Sequence, residues 1–124
     1  MAEREIRITA GPVVAEGRLN ESRTAGAIWD ALPLEARAET WGDEVYFAIG
    51  LDAGEESPRA VVDVGDLGYW PPGQAFCIFF GRTPASRGDE IRPASPVNVV
   101  GRVTGDARVF TRVRAGTRVT IERA

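Results

Sequence analysis

The chain has 124 residues, 15 basic against 18 acidic, a net charge of −3 and 44% hydrophobic residues, which fits one ordinary globular domain long enough to bury a core without disulfides or metal. The acidic balance and the lack of a basic run argue against nucleic-acid binding, and no apolar stretch approaches the roughly 20 residues of a membrane span. Every basic residue is Arg and there is no His, which excludes a Schiff-base or phosphate-loop lysine, Ser-His-Asp and Cys-His catalysis, and His-ligated zinc.

Residues 4–9 alternate charged and apolar side chains, the period of a half-buried strand, and Ala10, Gly11 and Pro12 turn the chain into a second strand over 13–19. Ile6, Ile8, Val14 and Leu19 are the candidate core residues of this hairpin, although the adjacent Val13 and Val14 leave the register of the second strand open. Ser22 or Thr24 then caps a short helix that runs through Leu32 and stops at Pro33; its Ala25, Ile28, Trp29 and Leu32 share one face, which predicts that it covers something apolar. Residues 35–41 and 44–49 have strand character and meet at a tight Gly42-Asp43 turn.

Residues 52–59 are polar and predict an exposed loop. A short strand over 61–64, a Gly65-Asp66 turn and a strand over 67–70 lead to a rigid Trp70-Pro71-Pro72-Gly73 corner. Residues 76–80 are the most apolar run in the chain and suit a strand buried on both sides. Residues 81–96 hold Pro84, Pro93 and Pro96 with little periodicity, the kind of long loop that often carries function. Strands over 97–104, 107–113 and 119–122 finish the chain. These elements predict a mainly β protein, a closed β-barrel of about eight strands with one or two short helices in a single domain over residues 1–124, since closure removes exposed edges.

Cys77 is the only cysteine, so there is no intrachain disulfide and no Cys cluster for a metal; its FCIFF setting makes it a core residue, and a reducing interior suits it. The stretch MAEREIRIT has neither a basic leader nor an apolar core, so the expectation is a soluble, cytoplasmic protein with no cofactor.

The segments Thr40-Trp41-Gly42-Asp43-Glu44, DLGYWPPG over 66–73, Phe79-Phe80-Gly81-Arg82-Thr83-Pro84 and EIRPASPV over 90–97 resemble the small prokaryotic cyclophilin-like family of unknown function, over about residues 5–104. The resemblance implies an eight-stranded cyclophilin-type barrel with helices at its ends, in agreement with the strand count. It implies no activity. Peptidyl-prolyl isomerases of the wider fold place an Arg among Phe, Gln, Trp and His around a proline pocket, whereas this chain has no His and its segment between the helix and Trp70 is too short for the motif that carries the Arg.

The residues themselves suggest a binding mouth formed by 69–80 and 83–95, lined by Tyr69, Trp70, Phe79, Thr83, Arg92 and Ser95. Phe76 and Phe80 read as core, while Tyr69 and Trp70 fit core and pocket equally. Arg87, Asp89, Glu90 and Arg92 form either a solvated ion-paired loop or a setting that aims the Arg92 fork at a ligand carbonyl or carboxylate. Asp43 with Glu44 and Asp63 with Asp66 fit catalytic carboxylate pairs or cation ligands, although Gly-turn chemistry accounts for Asp43 and Asp66 without any function. Trp41 fits stacking on a ligand, although an aromatic beside a Gly turn more often packs, and Gln74 and Ser95 are either hydrogen-bond groups for a peptide backbone or, the favoured reading, solvated loop residues. The expected partner is a small molecule or a short extended, proline-containing peptide; no nucleic acid or membrane is expected, and homo-oligomerisation stays open. The alternatives are an isomerase that uses Arg92 as donor to the amide nitrogen, with non-enzymatic binding favoured over it, and a pure protein-interaction module.

Overall fold

The computed structural model describes residues 4–124; the first three residues of the expected domain and of the N-terminal stretch read for a leader lie outside it. The predicted opening hairpin is β1 (Arg4–Ala10) and β2 (Val13–Leu19), paired antiparallel with Ile8 opposite Ala15 and Ile6 opposite Gly17. That register turns Val13, Gly17 and Leu19 inward with Ile6, Ile8 and Ala10, and leaves Val14 58% exposed, which corrects its place among the core residues.

Helix α1 (Arg23–Ala31) is capped by Ser22, whose Oγ accepts from the Ala25 N–H at 3.1 Å, and it buries Thr24, Ala25 and Ile28. Trp29 and Leu32 pack half-buried against the same core, so the predicted apolar face is the observed one.

The predicted strand over 35–41 is two strands, β3 (Leu34–Arg37) and β4 (Glu39–Thr40), separated by Ala38. β5 (Glu44–Ala48), β6 (Asp66–Trp70), β7 (Ala75–Phe79), β8 (Asn98–Val103) and β9 (Arg118–Arg123) complete a nine-stranded antiparallel sheet in the order β3-β9-β1-β2-β8-β6-β7-β5-β4. Its two outermost strands, β3 and β4, are consecutive in the chain with one residue between them, so the sheet curls back on itself into a nearly closed barrel. The buried Ala38 sits on that seam, bonded through its N–H to the Thr117 carbonyl at 2.8 Å and through its carbonyl to the Gly116 N–H at 2.7 Å.

Two expected strands take other forms. Residues 107–113 form a 3-10 helix (Ala107–Arg112) opened by Asp106, whose side chain accepts from the Arg108 N–H. Its buried Ala107 and Phe110, and the buried Val113 that caps its end, recur every third residue, the period that eclipses side chains in a 3-10 helix and that a strand would scatter over both faces. Residues 61–64 make a single bridge, Val62 to Ile91, because the Asp66 carboxylate accepts from the Asp63 N–H and bends the chain into a turn there.

The barrel interior is filled from all sides by Ile6, Ile8, Leu67, Tyr69, Phe76, Ile78, Phe110 and Ile121, with Phe47 stacked on Phe76 at 5.5 Å between centroids. A second, smaller cluster lies outside the sheet, where Ala75, Cys77 and Phe79 of β7 meet Val62, Ile91 and Val97. β7 is therefore apolar along its whole length because it is buried on both faces, as its sequence predicted. The cover on its outer face is the irregular segment 81–97.

Candidate functional site

That cover stops short of β5 and leaves a cleft of about 260 Å³ on the outer surface of the barrel, lined by Trp41, Glu44, Tyr46, Trp70, Pro93, Ala94 and Val97. Alternation along β5 sends Val45 and Phe47 into the core and Glu44 and Tyr46 outward, opposite Phe79 and Cys77 of β7. Trp41 comes from the turn before β5, which closes through the Trp41 N–H to Glu44 carbonyl bond at 3.0 Å. Gly42 sits in that turn at φ +61°, where a side chain would also strike the 82–84 backbone and Pro84. Trp70 is the last residue of β6, and its indole Nε1 donates to Ser95 Oγ at 2.7 Å, tying the β6 end of the cleft to the covering loop.

The covering loop is braced by its own polar groups. Ser86 Oγ accepts from the Thr83 and Arg92 N–H groups at 3.0 and 3.3 Å, and Thr83 Oγ1 donates to the Arg92 carbonyl. Glu90 accepts from the Arg87 and Gly88 N–H groups at 3.1 and 2.7 Å and from Arg92 Nε at 3.1 Å, and these donors hold its carboxyl down to about 2. Pro93, buried at the end of this braced segment, and Ala94 form the outer lip of the cleft.

Glu44 is the one ionisable carboxyl in the lining and is only 6% exposed. Desolvation by the surrounding apolar wall pushes its pKa up to about 7, opposed in part by a hydrogen bond with the Cys77 thiol. Burial first, and the nearby Glu44 second, push the Cys77 thiol well above its ordinary range, so it sits protonated beneath the cleft. At neutral pH the site therefore holds a carboxyl balanced between its two forms inside an otherwise apolar cleft.

The structure does not gather the six expected residues into one lining. Trp70 lines the cleft with Ser95 bonded behind it. Tyr69 points the other way, fully buried in the barrel, where its hydroxyl donates to the Leu51 carbonyl and accepts from the Ala53 N–H at 3.1 Å, pinning the 51–53 loop. Phe79 is buried in the outer cluster, and Thr83 and Arg92 brace the loop. Glu44 and Tyr46, with Trp41 beside them, are what the sequence reading undervalued. Their signal was the alternation of β5 beside a strand apolar on both faces, which requires a cover over that side.

Among the described residues no three His, Cys, Asp or Glu side chains gather as a metal site, and no helix is long and apolar enough to cross a membrane.

A nine-stranded antiparallel barrel with α1 packed on its core and an outer cleft is a fold that known proteins can be compared with directly, and the sequence profile described as cyclophilin-like matches residues 4–122. The chain belongs to the cyclophilin-like family. The match extends past the 5–104 span that carried the resemblance and takes in β9, the strand that joins β1 to β3 in the barrel. Among solved structures, this cyclophilin-like chain is similar to the solution structure of a hypothetical protein from Archaeoglobus fulgidus, at 41% identity and a TM-score of 0.84, over 98% of this chain and 95% of that one. No curated protein matches it.

Proposed function

We propose that this cyclophilin-like domain is a binding module that takes a compact group of a small molecule, or of a short extended peptide, into the cleft between β5 and the 93–97 segment. The observation that carries the reading is the cleft itself: three aromatic residues, a proline lip and one buried carboxyl converge on a braced, preformed concavity. Its volume of about 260 Å³ lies just under the roughly 300 Å³ lower bound for small-molecule sites, so the occupant is a single ring or headgroup, not a dinucleotide. Nothing in the cleft calls for bond-making chemistry. Arg92, the donor an isomerase reading would need, is absent from the lining and engaged by Glu90.

The test is an NMR titration of the isotopically labelled protein with proline-containing peptides and a small-metabolite collection. Binding at this site shifts the indole N–H signals of Trp41 and Trp70 and the backbone of Tyr46. Shifts confined to other surfaces, or none with any compound, would overturn the reading.

A further inference from the structure

We infer that the group this cleft selects is an organic cation, an ammonium head carried on a small apolar body, held between the rings of Trp41, Tyr46 and Trp70 and the carboxylate of Glu44. The inference rests on the proposed function of the cleft and names its ligand class.

Four observations converge on it. Glu44 is nine-tenths buried, yet none of the ion pairs among the described residues includes it, and the side chain that interacts with it is the weakly donating Cys77 thiol, which also donates to the Ala75 carbonyl at 3.9 Å. Without a cation beside it, a buried carboxyl escapes its desolvation cost by holding a proton; opposite charge arriving in the cleft lets it ionise there instead. Secondly, the other side chains of the lining are uncharged, so no resident cation competes for the place. Thirdly, three aromatic residues share the lining, and the negative faces of such rings attract ammonium groups most strongly where water is excluded. Lastly, the Trp70 Nε1–H, one of the few donors a neutral carbonyl or an anion could use, is already given to Ser95.

The alternatives fare worse on the same observations. An anion would meet the Glu44 carboxylate with no cation in the lining to offset it. A neutral apolar ring would fill the space while sealing the carboxyl further from water. A cation restores the missing charge and shifts Glu44 to its ionised form, so uptake releases a proton. The titratable groups around this carboxyl are Tyr46 on its own strand, Glu39 opposite Tyr46 on β4, and Cys77 on β7; the 93–97 segment adds none. Tightening with rising pH through neutrality therefore reports Glu44.

The probes are choline, its uncharged isostere with carbon in place of nitrogen, and a short peptide bearing a trimethylated lysine, each titrated by NMR into the wild type and Glu44→Gln at pH 8. The expected result is that choline shifts Trp41, Tyr46 and Trp70, binds about tenfold or more tightly than its isostere, and loses that margin in E44Q. Tighter binding of the peptide than of choline, with the same dependence on Glu44, assigns the ammonium to a protein side chain; the reverse order assigns it to a free small molecule. Tyr46→Leu provides a second variant, expected to weaken choline more than the isostere. Equal binding of choline and isostere in the cleft, unchanged in E44Q, would overturn the cation inference and leave the cleft a binding site for neutral groups. Failure of every probe to perturb the cleft, with shifts elsewhere, would overturn the reading of the cleft itself.

Discussion

Replacing Glu44 with glutamine keeps the shape of the side chain and removes its proton equilibrium, so the variant measures what burying this carboxyl costs the fold. The pKa is about 7 in the folded protein against 4.5 for an unperturbed glutamate. A folded value above the unfolded one fixes the sign: between those two pH values the native state holds a proton that the unfolded chain has released, so stability falls as pH rises. Below pH 4.5 the side chain costs nothing, and above about 7 the full penalty is present, on the order of 3 kcal/mol. E44Q lacks this term. Its stability should match that of the wild type to within about 1 kcal/mol at pH 4, and exceed it by an amount that grows through pH 6 to about 3 kcal/mol at pH 8. With an unfolding entropy of roughly 0.26 kcal/mol/K for a domain of this size, the difference at pH 8 corresponds to about 10 °C in Tm. Urea denaturation and thermal melts of both proteins from pH 4 to pH 9 would measure it. The carboxyl of Asp66, also raised by burial, titrates in both proteins and cancels in the difference. Parallel stability curves across that range would refute the argument, since they would mean that Glu44 stays solvated.

Asn98→Ala should cost about 2–4 kcal/mol in chemical denaturation: the side chain is 1% exposed and bonds Thr24 Oγ1, the Gly54 carbonyl and the Glu56 N–H, so a loss under 1 kcal/mol would mean the 54–56 loop is not held there. Gly101→Ala should fail to fold or lose more than about 2 kcal/mol, because a Cβ at that position would lie 2.2 Å from the Arg18 carbonyl oxygen on the neighbouring strand; a soluble variant of unchanged Tm would contradict the close approach of β2 and β8. The Cys77 thiol should be inert to Ellman's reagent in the folded protein at pH 8 and react at once in denaturant, while rapid native labelling would place it at the surface. Glu90→Gln should speed hydrogen exchange of the Arg87 and Gly88 amides equally at pH 5 and pH 8, since a carboxyl held down to about 2 is ionised throughout that window and its contribution fades only as pH falls from 4.5 through 2.

Much of the barrel was legible because its signals are local. The β1–β2 hairpin, the Ser22 cap and the double-sided burial of β7 each follow from a few adjacent residues. The 3-10 helix over Ala107–Arg112 escaped because apolar residues three apart in ARVFTR sit among alternating ones, and only the Asp106 cap separates the two readings. Val14 was misplaced because two adjacent valines offer both registers, and the choice belongs to the partner strand. The cleft was the least legible part. Glu44, Trp70 and Pro93 are brought together by the sheet order β6-β7-β5 and by the packing of a distant loop, neither of which leaves a trace in local periodicity. Tyr69 illustrates the same limit: it adjoins Trp70 in sequence, and the pleat sends the two to opposite sides of the sheet.

The one-residue join at Ala38 imposes an order on how the barrel is made during synthesis. β3 finds its partner only in β9, some eighty positions further along, and β9 is also the second partner of β1. A nascent chain that has already assembled β1-β2-β8-β6-β7-β5-β4 therefore still carries the unmatched edges of β1 and β3, and it keeps them until residues 118–123 emerge from the ribosome. The most hazardous interval for this domain is the one just before β9 becomes available, and anything that shields a strand edge for that brief time should raise its yield.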